Sequence, residues 1–470
     1  MSLSQQLAKN TALIALSKFS TQLITFLLLP LYTAILSTGE YGTVDLIISY
    51  GMLAAPLVML NMEMALFRHL IDARDDEDAK KGIITSAIEI LALSSIAAIV
   101  LFLFAHALFS IPMAGFIMIY LISLSFGGVI MQIARGLGNI KAFAITGIAQ
   151  GVLSAVLNII FLIPLKMGPA GMLLGLAIGT LSPALVLAVA IKLPKNIRFS
   201  AGSRTMRRGL LKYSLPLIPN SISWWVFGAS DRTIISIILG VSANGIYAVS
   251  SKFSAILNSM WAVFYMSWSE AASLSINKPD RDVFYSQIAN ATIRIFGTLA
   301  FVGVAATPLA FPFLANADFS EALLYIPILM LGALANVVVG FYSAIYVAKK
   351  LTRQVMNTSI AAAAVNIVIN LALIYFIGLW AAAVSTIIAY GIMAVYRHND
   401  MKKYVDITYE RGVFVKIGVA FVATCFFYYQ SSFALNVVGL VSAVAMALLI
   451  NFKLVSRFFG ALQNNRPMPK

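Results

Sequence analysis

Apolar runs of about 20 residues recur along this 470-residue chain, from Thr11 almost to Phe452. One helix of that length crosses a bilayer core of roughly 30 Å. Hydrocarbon offers no partner to a backbone N–H or C=O, so a spanning segment is either a helix or a strand of a closed barrel. Barrel strands alternate apolar and polar positions. These runs are continuous, which leaves helices. Charged residues make up only 11% of the chain, against roughly 25% in soluble domains. The chain reads as an all-α polytopic membrane protein with about 14 transmembrane helices and no globular soluble domain.

The spans fall near 11–36, 43–69, 83–109, 112–133, 142–165, 169–191, 214–239, 246–273, 288–314, 321–348, 355–377, 379–396, 412–430 and 433–452. The last two are either two spans or one re-entrant pair. With the N-terminus inside, Lys166 is the one basic residue of the 33 that falls in an external loop. Lys18, Arg232 and Lys252 lie within spans. The remaining Lys and Arg border cytoplasmic segments, as the positive-inside rule requires. Both termini are therefore expected in the cytoplasm.

That distribution also explains the net charge of +15 without nucleic acid, since the excess sits in short loops between spans. Cys425 stands alone, so no disulfide framework or zinc site is expected. The first apolar segment is too long for a cleavable signal peptide, and further spans follow it.

The segment 192–213 carries seven Lys or Arg: Lys192, Lys195, Arg198, Arg204, Arg207, Arg208 and Lys212. Its simplest reading is a solvated linker held against anionic headgroups. It divides the chain into an N-terminal six-helix lobe (1–191) and a C-terminal six-helix lobe (214–396). A C-terminal helix pair with a cytoplasmic tail (397–470) follows. The two lobes read as repeats. STGEYGTVDLIIS (37–49) corresponds to GVSANGIYAVSSK (240–252), with Gly42 matching Gly245, and later Asn158 matches Asn370. Two similar halves in the same sense imply a pseudo-two-fold axis along the membrane normal and a central site between them.

Several residues carry a family likeness. They are Ser17-Lys18 and Pro30 in the first span, GEYG at 39–42, and Phe67-Arg68 closing the second span. The seventh span adds Asp231-Arg232-Thr233-Ile234-Ile235, ahead of Gly240 and Asn244-Gly245-Ile246-Tyr247. With these the whole chain resembles the Wzx-type polysaccharide flippases of the multidrug/oligosaccharidyl-lipid/polysaccharide exporter superfamily. The resemblance implies a bacterial inner-membrane protein that is not an enzyme. It also implies movement of an undecaprenyl-pyrophosphate-linked oligosaccharide, for O-antigen or a related surface polysaccharide, from the cytoplasmic to the periplasmic leaflet. Membrane lipids and polysaccharide polymerase machinery are the partners implied. No cofactor is expected beyond an H+ or Na+ coupling ion, and no metal.

Ionisable groups inside spans cost about 2.5–3.5 kcal/mol on insertion scales and tend to face a bundle interior or a water-filled cavity. Lys18, Glu63, Glu89 and Arg294 lie about 9–10 Å in from the cytoplasmic ends of their spans, and Glu270 about 5 Å. They are either one polar layer or structural pairs, such as Lys18 with Glu63 or Glu89. Asp231, Arg232 and Lys252 lie about 9–12 Å from the outer ends. Asp231 and Lys252 are at matched depth and read as a pair, which leaves Arg232 uncompensated. Lys18, Arg232, Lys252 and Arg294 are thus candidate cations for a pyrophosphate headgroup, and a guanidinium suits phosphate oxygens. Asn220 is a candidate to line the cavity or satisfy freed carbonyls. Trp224, beside Trp225, is a candidate to stack on sugar rings, though packing is the commoner role for such residues. Glu63, Glu89, Asp231 and Glu270 are coupling candidates. Pro30, Pro216 and Pro219 are hinge candidates, because each removes a helical hydrogen bond.

No phosphate-binding loop, HExxH, CxxC or nucleophile elbow occurs in the chain, which argues against direct use of ATP and against common hydrolase chemistry. Three alternatives stay open. A multidrug cation antiporter of the same superfamily needs an acidic cavity. A membrane polysaccharide polymerase needs a large periplasmic loop. A lipid II flippase shares the lipid carrier.

Overall fold

The computed structural model describes residues 3–73, 75–197, 202–430 and 432–463. The described residues form helices joined by short turns, with no strand among them. Among the described residues, twelve helical stretches are long and apolar enough to cross a membrane. The seventh and eighth expected spans coincide with two further helices, Ile218–Ile238 and Val241–Ser275. These two carry Asp231, Arg232, Lys252 and Glu270 and are the more polar for it. The fold is an all-α polytopic membrane fold of about fourteen spanning helices, in agreement with the apolar pattern.

Two compact units divide the chain at Ala248 and Val249. The first begins with α1 (Leu3–Leu27) and α2 (Leu29–Ile35), which together make one bent span. The bend sits at Leu28, two residues before Pro30, because proline lacks the N–H that would continue the ladder. The second expected span, 43–69, is two helices, α3 (Thr38–Val58) and α4 (Met62–Asp72). Pro56 lies in the last turn of α3. Leu60 and Asn61 then take left-handed backbone angles, φ 50° and 51°, and the Asn61 N–H closes on the Pro56 carbonyl at 2.9 Å. Proline weakens the ladder and the chain turns out of the helix there.

The long α5 (Glu77–Phe109) starts on an Asp76 cap that accepts from the Ala79 N–H. It is followed by α6 (Ala114–Gly136), α7 (Ile140–Leu162) and α8 (Gly168–Ala190). α7 and α8 approach closely because Gly175 and Gly179 face Asn158 and Ser154, the small-residue packing of membrane helices. The basic segment 192–213 contains a helix, α9 (Arg204–Ser214), capped by Ser203, whose hydroxyl accepts from the Met206 N–H at 3.0 Å. Leu210 of α9 is fully buried with Leu66 and Leu70 of α4, Ile84 and Leu91 of α5 and Ile133 of α6. Burial of this apolar residue anchors a segment that its charge alone marks as solvated.

Beyond α9, a 3₁₀ turn at Leu215–Leu217 leads into α10 (Ile218–Ile238). Pro216 lies in that turn and Pro219 in the first turn of α10, where a missing N–H costs no ladder bond. The two prolines therefore mark the α9–α10 junction and do not kink α10. The boundary between the units falls inside α11 (Val241–Ser275).

The second unit continues with α12 (Arg281–Leu314), α13 (Ile326–Ala348), α14 (Thr352–Ile377) and α15 (Trp380–Met401). α16 (Arg411–Tyr428) and α17 (Phe433–Gln463) pack on α12 through Phe301, Ala305, Ile417, Ala420 and Ala443. Both expected C-terminal spans are present as separate candidate spans, Arg411–Tyr428 and Phe433–Phe452.

Candidate functional site

α3 begins with a capping box. The Ser37 hydroxyl accepts from the Glu40 N–H at 3.2 Å, and the Glu40 carboxylate accepts from the Ser37 N–H at 2.9 Å, so two otherwise orphaned donors are satisfied. Two residues on, Gly42 meets the start of α11. A Cβ on Gly42 would lie 2.1 Å from the Val241 carbonyl oxygen, and a Cβ on Gly245 would lie 2.0 Å from the Thr38 carbonyl oxygen. Only glycine permits that approach. The contact is self-complementary, because Gly42 and Gly245, like Thr38 and Val241, stand 203 positions apart. The motif and its repeat meet through equivalent residues, as a local two-fold requires. The buried Asn244 amide donates to the Gly42 carbonyl at 2.9 Å, which locks the crossing.

One to two turns deeper the contacts become ionic. Arg232 of α10 donates from Nε to the Asp45 carboxylate of α3 at 2.7 Å, with the side chains 20% and 8% exposed. The two are at matched depth, about 10 Å in from the start of α3 and the end of α10. Next to them Asp231 is buried and accepts from the Tyr247 hydroxyl at 3.2 Å. Further down the same groove the Trp225 indole donates to the Ser49 carbonyl at 2.6 Å, and the Tyr50 and Thr233 hydroxyls are 3.1 Å apart. Tyr50 and Trp225 also pack ring on ring, with centroids 5.5 Å apart. Lower still, the Ser221 hydroxyl donates to Asn61 Oδ1 at 3.1 Å, at the α3–α4 break.

This arrangement corrects one expectation. Arg232 is not an uncompensated cation, because Asp45 faces it. Matched depth along the sequence sets Asp231 against Lys252, whereas the signal for the partner of Arg232 is Asp45, a carboxylate in the apolar run GTVDLIIS. Lys252 is half-buried on the portion of α11 that belongs to the second unit.

Two of the inner-layer candidates form ion pairs. Glu89 pairs with Arg207 of α9 at 2.5 Å, an ion pair between α5 and the basic segment. Arg294 pairs with Glu410, just before α16, at 2.7 Å. Glu63, in the first turn of α4, is half-buried and packs toward Gly128 of α6. Glu270 is half-buried on α11. Neither Glu63 nor Glu270 makes an ion pair among the described residues. The side chains of Lys18, Asn220 and Trp224 lie outside the described residues.

Arg397 is a second buried charge, after Asp45, that sequence reasoning missed. It is 1% exposed and sits where the chain looks interfacial, in YRHND at the end of α15. Its guanidinium donates to the Thr358 hydroxyl at 2.7 Å, to the Val339 carbonyl at 3.1 Å, to the Val355 carbonyl at 3.2 Å and to the Ser343 hydroxyl. Every acceptor is neutral. Arg397 thereby ties α13, α14 and α15 together, and no carboxylate pairs with it among the described residues. No group of His, Cys, Asp and Glu with the makings of a metal site occurs among the described residues.

Comparison with known proteins places this geometry in a family. The chain is similar to the lipid II flippase MurJ in an inward-closed conformation, with 17% identity, 95% of this chain and 100% of that chain covered, and a TM-score of 0.68. It is also similar to an inward-facing multidrug resistance MATE transporter of the MOP superfamily, with 13% identity, coverage of 83% and 98%, and a TM-score of 0.65. An outward-facing MATE transporter matches with 12% identity, coverage of 84% and 96%, and a TM-score of 0.56. At such identities the likeness is one of fold, and the fold is that of membrane transporters. No curated protein sequence matches. Residues 7–268, more than half of the chain, match the family described as polysaccharide biosynthesis protein, and the chain belongs to that family.

Proposed function

We propose that the protein flips an undecaprenyl-pyrophosphate-linked oligosaccharide, an O-antigen unit or a related surface-polysaccharide repeat, from the cytoplasmic to the periplasmic leaflet of the bacterial inner membrane. Membership in the polysaccharide biosynthesis family carries this reading. The fold likeness to a lipid II flippase over 95% of the chain supports a lipid-linked cargo over a drug cation. The basic inner loops support cytoplasmic termini.

The Asp45–Arg232 pair supplies a mechanism. A pyrophosphate oxygen competes with the Asp45 carboxylate for the guanidinium, whose planar fork suits phosphate. Asp45, once released, is a buried carboxylate without its cation and binds a proton or Na+ in compensation. Substrate and coupling ion then exchange across one ion pair, and the Gly42–Gly245 crossing opens for the headgroup to leave. Asp231 and Tyr247 hold the adjoining turn. Lys18, Lys252, Glu63 and Glu270 remain proposed cavity groups.

Deletion of the gene should make cells accumulate the lipid-linked oligosaccharide on the cytoplasmic side and lose the surface polymer. Arg232→Ala, expressed at the wild-type level, should fail to restore export. Normal export in the deletion strain, or accumulation of a peptidoglycan precursor instead, would overturn the reading; the second outcome would make the cargo lipid II.

A further inference from the structure

A crevice between α3, α5 and α6 has no part in the ionic cluster. Its volume is about 360 Å³, and its walls include Leu57, Phe102, Met118 and Phe126. Two serines interrupt this hydrocarbon lining, Ser95 of α5 and Ser125 of α6. They are 7% and 4% exposed, and neither hydroxyl has a hydrogen-bond partner among the described residues. Ser125 lies about 17 Å from either end of its helix, at mid-span.

Serines close by behave differently. The Ser94 hydroxyl donates to the Leu91 carbonyl at 3.2 Å, and the Ser123 hydroxyl donates to the Ile119 carbonyl at 2.7 Å. Serine in these same helices can thus satisfy itself against its own backbone, the usual habit of a mid-helix hydroxyl. The two that line the crevice do not. Alanine would fill either position without an orphaned donor, and the orphan is costly at low dielectric.

The chemistry of the lining selects the occupant. A water needs two to four polar partners, and an apolar cavity otherwise stays dry. A saturated acyl chain would fill the space but offers a hydroxyl nothing. The double bonds of an isoprenoid chain present π faces that accept weak O–H bonds. Leu57 and Leu101 are exposed at the rim, and Leu93, Ile96, Val100 and Phe104 continue an exposed apolar surface along α5, so a chain in the bilayer has an apolar approach. We propose that this crevice seats a length of the polyprenyl tail of the carrier lipid, with its alkenes against Ser95 and Ser125. The proposal rests on the reading of the cargo as polyprenyl-linked.

The test uses the full-length protein in detergent and native mass spectrometry of three probes: undecaprenyl phosphate, its fully hydrogenated analogue and phosphatidylglycerol. Undecaprenyl phosphate should bind most tightly. Ser125→Leu, which fills the crevice, should weaken it about tenfold. The double variant Ser95→Ala/Ser125→Ala should bind undecaprenyl phosphate only as well as the hydrogenated analogue, while its thermal transition rises as two orphaned hydroxyls disappear. Should Ser125→Leu fail to fold, Leu101→Trp at the exposed rim narrows the mouth instead, with the same loss expected. Equal binding of undecaprenyl phosphate and phosphatidylglycerol, or unchanged binding in these variants, would overturn the proposal. Accumulation of the lipid-linked oligosaccharide on gene deletion tests the functional reading separately. Intact accumulation with a crevice that ignores the probe sinks the crevice alone, and absent accumulation sinks the reading whatever the purified protein binds.

Discussion

Asp45 and Arg232 show what an ion pair means inside a membrane span. Each charge alone would cost several kcal/mol of desolvation, and together they satisfy each other at 2.7 Å. Asp45→Ala should therefore destabilise more than a surface change, by about 3 kcal/mol, because it strands the guanidinium. A thermal melt in detergent measures this. The reversed pair Asp45→Arg/Arg232→Asp should recover part of the loss, whereas a recovery of zero would mean the pair is not coupled. Arg397 makes the complementary case. Arg397→Lys keeps the charge but loses the fork that reaches two neighbouring helices, α13 and α14. It should lower stability by about 1–3 kcal/mol, the cost of acceptors left unpaired. By contrast Arg207, 42% exposed, should cost under about 1 kcal/mol on replacement by alanine, as solvated pairs do. Arg232 was legible in the sequence as an intramembrane cation, but its partner was not, since pairing depends on which helix lies alongside at the same depth. Arg397 was not legible at all. A residue at the end of a span reads as interfacial until the neighbouring helices are known to enclose it.

The α3–α11 crossing belongs to the scale of elements. Its repeat was readable from the match of Gly42 with Gly245, and the expectation named a central site between the halves. That the two glycines touch each other is a fact of three-dimensional packing. Gly42→Ala or Gly245→Ala places a methyl within about 2 Å of a carbonyl oxygen, far inside contact distance. The helices must separate, so export should fall sharply and the thermal transition should drop. Gly418→Ala, with nothing within 4 Å of the added methyl, should leave both unchanged. A cysteine pair at Gly39 and Ser242 offers a further check in a background with Cys425→Ser, since a Cβ on Gly39 would lie 3.1 Å from the Ser242 hydroxyl oxygen. Oxidation should stop export and reduction should restore it if the crossing opens during transport. Helix breaks follow the same division. Pro30 announced a bend, and the bend occurs. Pro216 and Pro219 look alike in sequence but fall at a helix start, where the fold has no ladder bond for them to break.

For the molecule as a whole, charge distribution makes a prediction that needs no side-chain contact. With Cys425→Ser as background, Lys166→Cys should react with a membrane-impermeant maleimide in intact cells, while Lys195→Cys should react only after permeabilisation. Labelling of both from outside would overturn the expected orientation. Composition and the length of the apolar runs by themselves determined that this chain crosses the membrane many times as helices, because a bilayer leaves the backbone no other way to satisfy its polar groups. They determined the approximate span count and the positions of the charges along each span. Tertiary structure alone decided that Asp45 neutralises Arg232, that α9 docks through Leu210, that Arg397 is enclosed and that two serines face an apolar crevice without partners. The reason is that depth along a helix can be counted from sequence, whereas rotation about its axis and the identity of its neighbour depend on how all the helices pack together.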